Sequence, residues 1–385
     1  MDNDMQLRLG DIAQVIMGQS PQSQYFNSNG QGKPFLQGNR TFGSKFPTYD
    51  TFTTAITKLG HKNSVVMSVR APVGELNVLS EDTCLGRGVC ALNLVDPSID
   101  PDFLFYALKG NSERLKAKQS GTVFGSINKS DIESLILELP DKAEWNAIAK
   151  FLGDIDRKIL VNEQINKNLE EQLIEFYKAW FIGFEFNSGV QPTSWKTQPL
   201  NELTSLVSKG RAPEYSDDSK HLVLNQKCIR NHSIDFNIAR RHSPRANDPS
   251  RLSYGDILIN STGTGTLGRV AQFWVEKTDV SVDSHITIVR PIKREFLEYL
   301  GLWAVNNESI FVTMATGSTG QSDLPRERLE NMMVLVPDNQ TLSTFSEITQ
   351  PMIQMLVHNR SENIYLQGIR DSLLPKLLSG EIEIR

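Results

Sequence analysis

The chain has 385 residues, 39% of them apolar, and a net charge of −5. That size can bury more than one hydrophobic core, so two or more domains are expected, and the acidic balance excludes nucleic-acid binding through bulk charge alone. No apolar run approaches the roughly 18 residues of a membrane span. The polar start MDNDMQLRLG lacks a signal-peptide core, and Cys84, Cys90 and Cys228 make no disulfide framework, so a reduced, cytoplasmic setting is expected.

Charge is unevenly spread. Residues 1–140 hold 13 Lys/Arg against 14 Asp/Glu, and residues 186–337 hold 17 against 16. The intervening 141–185 holds 6 against 9, and 338–385 holds 4 against 6, so the acidity sits in the latter two stretches. Any contact with nucleic acid must come from clustered basic side chains.

In chain order, LRLGDIAQVIMGQSP reads as a strand-and-turn element ending at Pro21, and VVMSVRAPVGELNVL (65–79) as strand, turn and strand. PDFLFYALKGNSERLKAK (101–118) has apolar residues at helical spacing and a basic end, which suits a helix. Residues 120–140 read as a Gly/Ser loop, a helical turn with Asp131 near its start, and an apolar strand.

From Asp141 to Phe181 an uninterrupted polar helix is predicted. Its stripe of Leu152, Ile155, Ile159, Asn162, Asn166, Leu169, Leu173, Phe176 and Trp180 steps in threes and fours, as in a coiled-coil seam. A constant shift of 197 positions repeats it without a gap over about forty residues. Pro140-Asp141 falls on Pro337-Asp338, Ile155 on Met352, Asn162 on Asn359, Leu169 on Leu366 and Phe176 on Leu373. Ile348 and Met355 complete the second stripe, in which Pro351 and Pro375 predict a kink or break. Asn stands at one repeat position in both stripes, and a buried seam Asn specifies register at a cost in stability. Replacing Asn162 with Leu is therefore expected to stabilise the pair and loosen its register.

The globular segments repeat as well. Gly18-Gln19-Ser20-Pro21 matches Gly210-Arg211-Ala212-Pro213, Val65-Val66-Met67 matches Ile257-Leu258-Ile259, and Gly121 through Ser126 matches Gly317 through Ser322. The layout is globular, helix, globular, helix.

Several patterns suggest chemistry and fail on context. Gly263, Gly265 and Gly268 fit G-x-G-x-x-G, but RVAQFWVE follows as a strand where a dinucleotide site needs a helix. Asp156-Arg157-Lys158 lies inside the long helix, too splayed for a nuclease metal site, and a solvated helix face is expected there. Cys228, His232 and His242 lack a ligand-like spacing for zinc. Gly32-Lys33 is followed by Pro34 rather than completing a Walker A loop, and neither G-x-S-x-G nor Pro-Pro occurs. No catalytic centre is read from the sequence.

The basic clusters are more informative. Arg230, Arg240, Arg241, Arg245 and Arg251 crowd a polar stretch with Asn231, His232 and Asn237, and Arg40, Lys45, Lys58, Lys62 and Arg70 accompany Gln37 and Asn39 in the first half. Arg can bond guanine bidentately, Asn and Gln can bond adenine, and basic residues grip phosphate.

With LGDIAQVIMGQSP, PTSWKTQPLNEL, GDILINSTGTGTLGRVA and the terminal LLPKLLSGEI in this duplicated order, the whole chain resembles the specificity subunit of a type I restriction–modification system. The resemblance implies an α/β (α+β) fold with two similar target-recognition domains, 1–140 and 186–337, joined and held apart by two long antiparallel helices, 141–185 and 338–385, in an internal pseudo-two-fold repeat. Each domain would read half of a bipartite double-stranded DNA site. The helices would dock two modification (methyltransferase) subunits, and restriction subunits where a nuclease accompanies them. Catalysis and S-adenosylmethionine would belong to the partner, with no cofactor, metal or membrane contact in this chain.

Candidate DNA contacts are then Gln19, Ser20, Gln37, Asn39, Arg40, Lys45, Arg70, Thr122 and Ser126 in the first half. In the second they are Arg211, Asn225, Gln226, Lys227, Arg230, Arg240, Arg241, Arg245, Ser318 and Gln321. Trp145, Phe151, Phe176, Tyr177, Trp180 and Phe181, with Leu373, Leu374 and Leu377, are the candidate surface for partner helices. The alternative is a coiled-coil scaffold whose domains bind proteins or glycans.

Overall fold

The computed structural model describes residues 5–117, 125–245, 248–277, 279–317 and 322–384. The chain divides into two compact units, residues 1–162 with 361–385, and residues 163–360. Each is an α/β body that includes part of both long helices.

In the first unit, an antiparallel sheet runs in the order Ala13–Met17, Val89–Leu94, Val65–Ser68, Leu76–Val78. All four residues of Val65–Ser68 are buried, as suits an interior strand covered on both faces. A second sheet pairs Lys33–Leu36 in parallel with Thr83–Leu85, and the strand pair Met5–Arg8 and Ile136–Leu139 closes the unit. Helix Pro101–Gly110 starts with Asp100 accepting the Asp102 N–H at 2.9 Å and with proline in its first turn, where the lost donor costs nothing. It stops at Asn111, whose side-chain amide donates to the Ala107 carbonyl at 2.9 Å. Its buried face packs Phe103 on Trp145 with ring centroids 4.4 Å apart, joining domain and long helix in one core.

The second unit repeats this plan. Its antiparallel sheet is Thr204–Lys209, Ile286–Pro291, Ile257–Asn260, Val270–Gln272, and Leu222–Leu224 pairs in parallel with Val280–Val282. Lys196–Pro199 pairs with Met333–Val336, and helix Leu297–Asn306 ends on Asn307, which donates to the Trp303 carbonyl at 2.7 Å. Tyr177, Phe181, Tyr299 and Phe345 fill the core at the long helices.

The first long helix is Trp145–Phe181 and the second Asn339–Leu378, 37 and 40 residues. The second is one continuous helix through Pro351 and Pro375, so of the kink or break expected there the break does not occur. Both prolines are exposed, so each ring and the carbonyl it leaves unpaired face water while the opposite face stays packed.

Within each unit the two helices pair antiparallel through an asparagine couple. In the first, Asn162 donates to Asn363 Oδ1 at 2.8 Å and to Glu362 at 2.7 Å, and Asn363 donates to the Ile159 carbonyl at 3.2 Å. In the second, Asn359 donates to Asn166 Oδ1 at 2.9 Å. The shift of 197 that relates Asn162 to Asn359 also relates Asn166 to Asn363, so the two couples are copies of one arrangement. This reverses the sign expected for Asn162→Leu. The leucine would strip the buried Asn363 oxygen of its donor, which costs about 1–3 kcal/mol. The double variant Asn162→Leu/Asn363→Leu removes both polar ends and should recover most of that loss. Urea unfolding of the two variants checks the order; equal stability of single variant and wild type would contradict it.

The seam departs from the predicted stripe where a 3.6-residue helix drifts from a 3.5-residue repeat. Leu152, Ile159, Asn162, Leu173 and Asn359 are buried, and Ile155, Leu169, Ile348, Met352, Leu366 and Leu373 are half-buried. Phe176 and Met355 are not on the seam: they are 36% and 51% exposed, and their neighbours Tyr177 and Leu356 are buried instead. Asp156, expected on a solvated face, is 3% exposed. The surface assigned to partner helices is also largely consumed. Trp145, Tyr177, Phe181, Leu374 and Leu377 are buried in the unit cores and Trp180 and Leu373 pack at their edges, leaving Phe151 and Phe176 exposed.

Candidate nucleic-acid interface

In each unit the chain passes from the parallel strand pair into the antiparallel sheet through a three-residue link. The links are Gly86-Arg87-Gly88, between Thr83–Leu85 and Val89–Leu94, and Asp283-Ser284-His285, between Val280–Val282 and Ile286–Pro291. Matched backbone hydrogen bonds draw the same segments around both. Gly18 donates to Val89 O at 3.0 Å and Gly210 to Ile286 O at 3.0 Å. Gly86 donates to Leu36 O at 2.8 Å and Asp283 to Leu224 O at 2.9 Å. Val69 donates to Gly88 O at 2.9 Å and Ser261 to His285 O at 2.8 Å, and Ile127 and Leu324 donate in turn to Val69 O and Ser261 O. The approach demands glycine where the first strand ends: a Cβ on Gly18 would lie 2.1 Å from Gly86 O, and one on Gly210 would lie 2.2 Å from Val282 O.

These bonds also correct the repeat by one residue at its loop. Arg70 bridges Ser126 as Thr262 bridges Asp323, so the counterpart of Ser126 is Asp323 rather than Ser322. Lys209 holds Asp323 at 2.5–2.6 Å.

In the first unit the link gathers Gln19, Ser20, Gln37, Arg70 and Ser126. Gln19 N–H donates to Leu85 O at 2.8 Å, Ser20 Oγ accepts the Arg87 N–H at 3.1 Å, and Gly88 donates to Gln37 O at 3.0 Å. Arg40 is exposed but tied to Asp50 at 2.7 Å, which holds that carboxyl below its usual range, and shares a shallow cavity with Gln37. Asn39 is half-buried; Lys58 and Lys62 are exposed. Lys45 does not belong to this surface. It is 5% exposed, with its ammonium 2.8 Å from Asp102 and 3.7 Å from Asp156. Burial of two carboxylates drew it inward, which sequence proximity to Arg40 could not indicate.

In the second unit Arg211, Lys227, Arg230, Arg240, Arg241 and Arg245 are all exposed. Arg211 and Arg245 line one cleft with His242, Glu214 and Asp248. Arg240 stacks over Tyr215 at 3.5 Å, and Arg241 donates to the Asp217 carbonyl at 3.3 Å. Arg230 sits on a hairpin whose turn residues, Asn231 and His232, take left-handed φ of 48° and 52°, the two-residue geometry that suits strand twist. Asn225 caps the next turn, accepting from the Lys227 N–H at 2.8 Å, and Gln226 gives its carbonyl to Asn260 at 2.9 Å, so these two contribute more to loop shape than to an open surface. Thr122, Ser318 and Gln321 lie outside the described residues.

The sequence reading missed Arg87 and His285. Arg87 is exposed, flanked by the two glycines of its link. His285 is exposed, with Nδ1 2.6 Å from Thr262 Oγ1. The only signal for either was its position between two buried strands.

The weighed motifs settle as structure. Gly263, Gly265 and Gly268 adopt φ of 105°, 73° and 84° in a turn that enters strand Val270–Gln272. Cys228 is buried, which pushes its thiol up, and His232 faces Glu308 at 3.5 Å, which raises the histidine. Among the described residues no three His, Cys, Asp or Glu side chains gather as metal ligands, and no helix is long and apolar enough to cross a membrane.

Fold and surface define a class: a duplicated α/β protein built on a shared helical pair, with one polar loop cluster per unit. Residues 1–171 match the family model described as the type I restriction modification DNA specificity domain. A putative type I restriction enzyme MjaX specificity subunit of Methanocaldococcus jannaschii is 36% identical over 157 residues, covering 41% of this chain and 37% of that one. The MjaIX specificity subunit of the same organism is 23% identical over 349 residues, 84% of this chain and 78% of that protein. The crystal structure of a type I restriction–modification S subunit from M. genitalium shares the fold, with a TM-score of 0.67 at 19% identity over 98% of this chain and 96% of that one. Residues 1–171 thus match a type I DNA specificity domain, and over most of its length the chain is similar to proteins named as type I specificity subunits.

Proposed function

We propose that the chain selects a bipartite double-stranded DNA site, each unit reading one half, while the long helices set the distance and phase between halves and dock two modification subunits. The observation that carries this reading is the matched loop cluster, one per unit, with the same backbone bonds and different side chains: Gly86-Arg87-Gly88 against Asp283-Ser284-His285. A shared scaffold with divergent side chains suits two readers of unlike half-sites. The exposed arginines beside each cluster would grip phosphate and the loop side chains would meet base edges, each good bidentate pair discriminating by about 1–3 kcal/mol. The exposed helix side chains that the cores leave over, Phe151, Val161, Ile364 and Tyr365 in the first unit and Ile165, Phe176 and Met355 in the second, are the residues available to partner helices. Methyl transfer and S-adenosylmethionine belong to the modification subunit, the setting is cytoplasmic, and the domains follow residues 1–140 and 186–337 with helical segments 141–185 and 338–385 between and after them. Sequencing the methylated positions in DNA modified by this chain with its genomic-neighbour methyltransferase tests the reading. Two short specified tracts separated by unspecified bases are expected; methylation without sequence preference would favour the scaffold alternative.

A further inference from the structure

The first unit holds a buried charge cluster, the second an apolar cavity between Leu173, Leu302 and Ile353, and each unit one inter-sheet link. The links carry furthest, because duplication supplies two views of one segment, in which Arg87 corresponds to Ser284 and His285 to Gly88.

Each link is pinned from both flanking sides. In the first unit Gly86 is held by Leu36 O, Gly88 by Gln37 O, and the Arg87 N–H by Ser20 Oγ, so the Arg87 backbone is fixed from two neighbouring segments at once. Its side chain is exposed, and the guanidinium has no hydrogen-bond or ion-pair partner among the described residues. Arginine is long and costly to order, so a free guanidinium on a rigid backbone, among Gln19, Ser20 and Gln37, suits a contact made outside the protein. In the second unit the link holds His285 by its N–H to Asp283 Oδ1 at 2.9 Å and by its carbonyl to Ser261 at 2.8 Å. Its Nδ1 is engaged by Thr262, which fixes the ring and leaves Nε2 for one further contact.

We propose that Arg87 and His285 are the specificity-determining side chains of the two units, Arg87 bonding guanine O6 and N7 as a fork and His285 making a single Nε2 contact with one base edge. The inference rests on the DNA-reading function proposed above. It assigns the strongest discrimination in each half to the residue on the rigid link rather than to the arginines of the longer loops, which grip phosphate.

The test uses the full chain with its neighbouring methyltransferase and maps methylated sites for wild type, Arg87→Ala, Arg87→Lys and His285→Ala. Arg87→Ala should lose preference at one base pair of one half-site by about 10- to 100-fold, leaving the other half unchanged. Arg87→Lys should keep overall DNA affinity yet fail to restore that preference, because an ammonium cannot form the fork. His285→Ala should relax a base pair only in the opposite half. Unaltered thermal unfolding is expected for both alanine variants, since neither replaces a side chain that fills a core. A wild-type bipartite motif that all three variants reproduce would overturn the assignment while leaving DNA reading intact, as would a uniform loss across all positions. A wild-type complex that selects no motif would overturn the reading beneath it and the assignment with it.

Discussion

Replacing Asp156 with alanine is expected to destabilise the first unit by about 3–5 kcal/mol, the cost of removing one member of a buried ion cluster. Asp156 is 3% exposed on the first long helix. It accepts from Arg370 of the second long helix at 2.7 Å and from the Tyr106 hydroxyl, and Lys45 lies 3.7 Å away while bonding Asp102 at 2.8 Å. Burial, and then the Asp156 charge, push the Tyr106 phenol far above its ordinary range, so it remains a neutral donor. Alanine at 156 would leave Asp102 as the one carboxylate beside the Lys45 ammonium and Asp371 as the one beside the Arg370 guanidinium, both cations poorly hydrated. Asp154→Ala, two residues away on an exposed face with Lys150 and Arg157 as partners, should have a far smaller effect, because solvent screens both pairs. Urea unfolding of both variants gives the comparison, and equal midpoints would contradict the ion-cluster account. The second unit carries no such cluster at the corresponding place. The shift of 197 puts Ile353 opposite Asp156 and Leu173 opposite Arg370, and these pack together as apolar residues. An unfolding transition belonging to the second unit should therefore be unmoved.

Lengthening both long helices by seven residues should change the spacing of the recognised half-sites without changing their sequences. The insertions belong between Glu163 and Gln164 and between Ser361 and Glu362, where they leave the Asn162–Asn363 and Asn166–Asn359 couples intact. Seven residues add about 10 Å of helix, close to the length of three base pairs. If the helices set the spacing, the unspecified tract grows by about three base pairs and both half-site sequences persist. A spacer of unchanged length, read from the methylated sites, would assign the spacing to something else.

Much of this fold was legible because it is periodic or repeated. The helix stripe, the shift of 197, the strand-turn-strand at 65–79 and the strand after Gly268 all follow from local patterns that tertiary packing reinforces. What escaped was non-local. Asp156 looked solvated beside Arg157 and Lys158, but its partner Arg370 stands 214 residues away. Phe176 and Met355 drifted off the seam through the mismatch of helix and heptad, a small angle per turn that accumulates. Lys45 belonged to a basic cluster in sequence and to a buried ion pair in space. Arg87 was hidden for the opposite reason. Nothing in G-R-G distinguishes an ordinary turn from a link held by three segments, until Ser20, Gln37 and Val69 are seen converging on it.

The central claim is that each unit reads its own half of the site. Its most direct measurement is the map of methylated positions produced when residues 1–140 are replaced by the matching segment of a similar protein, with the rest of the chain and the methyltransferase unchanged. The account predicts that one half-site takes on a new sequence while the other half and the spacer stay as in the wild type. A change in both halves, or in neither, would contradict it.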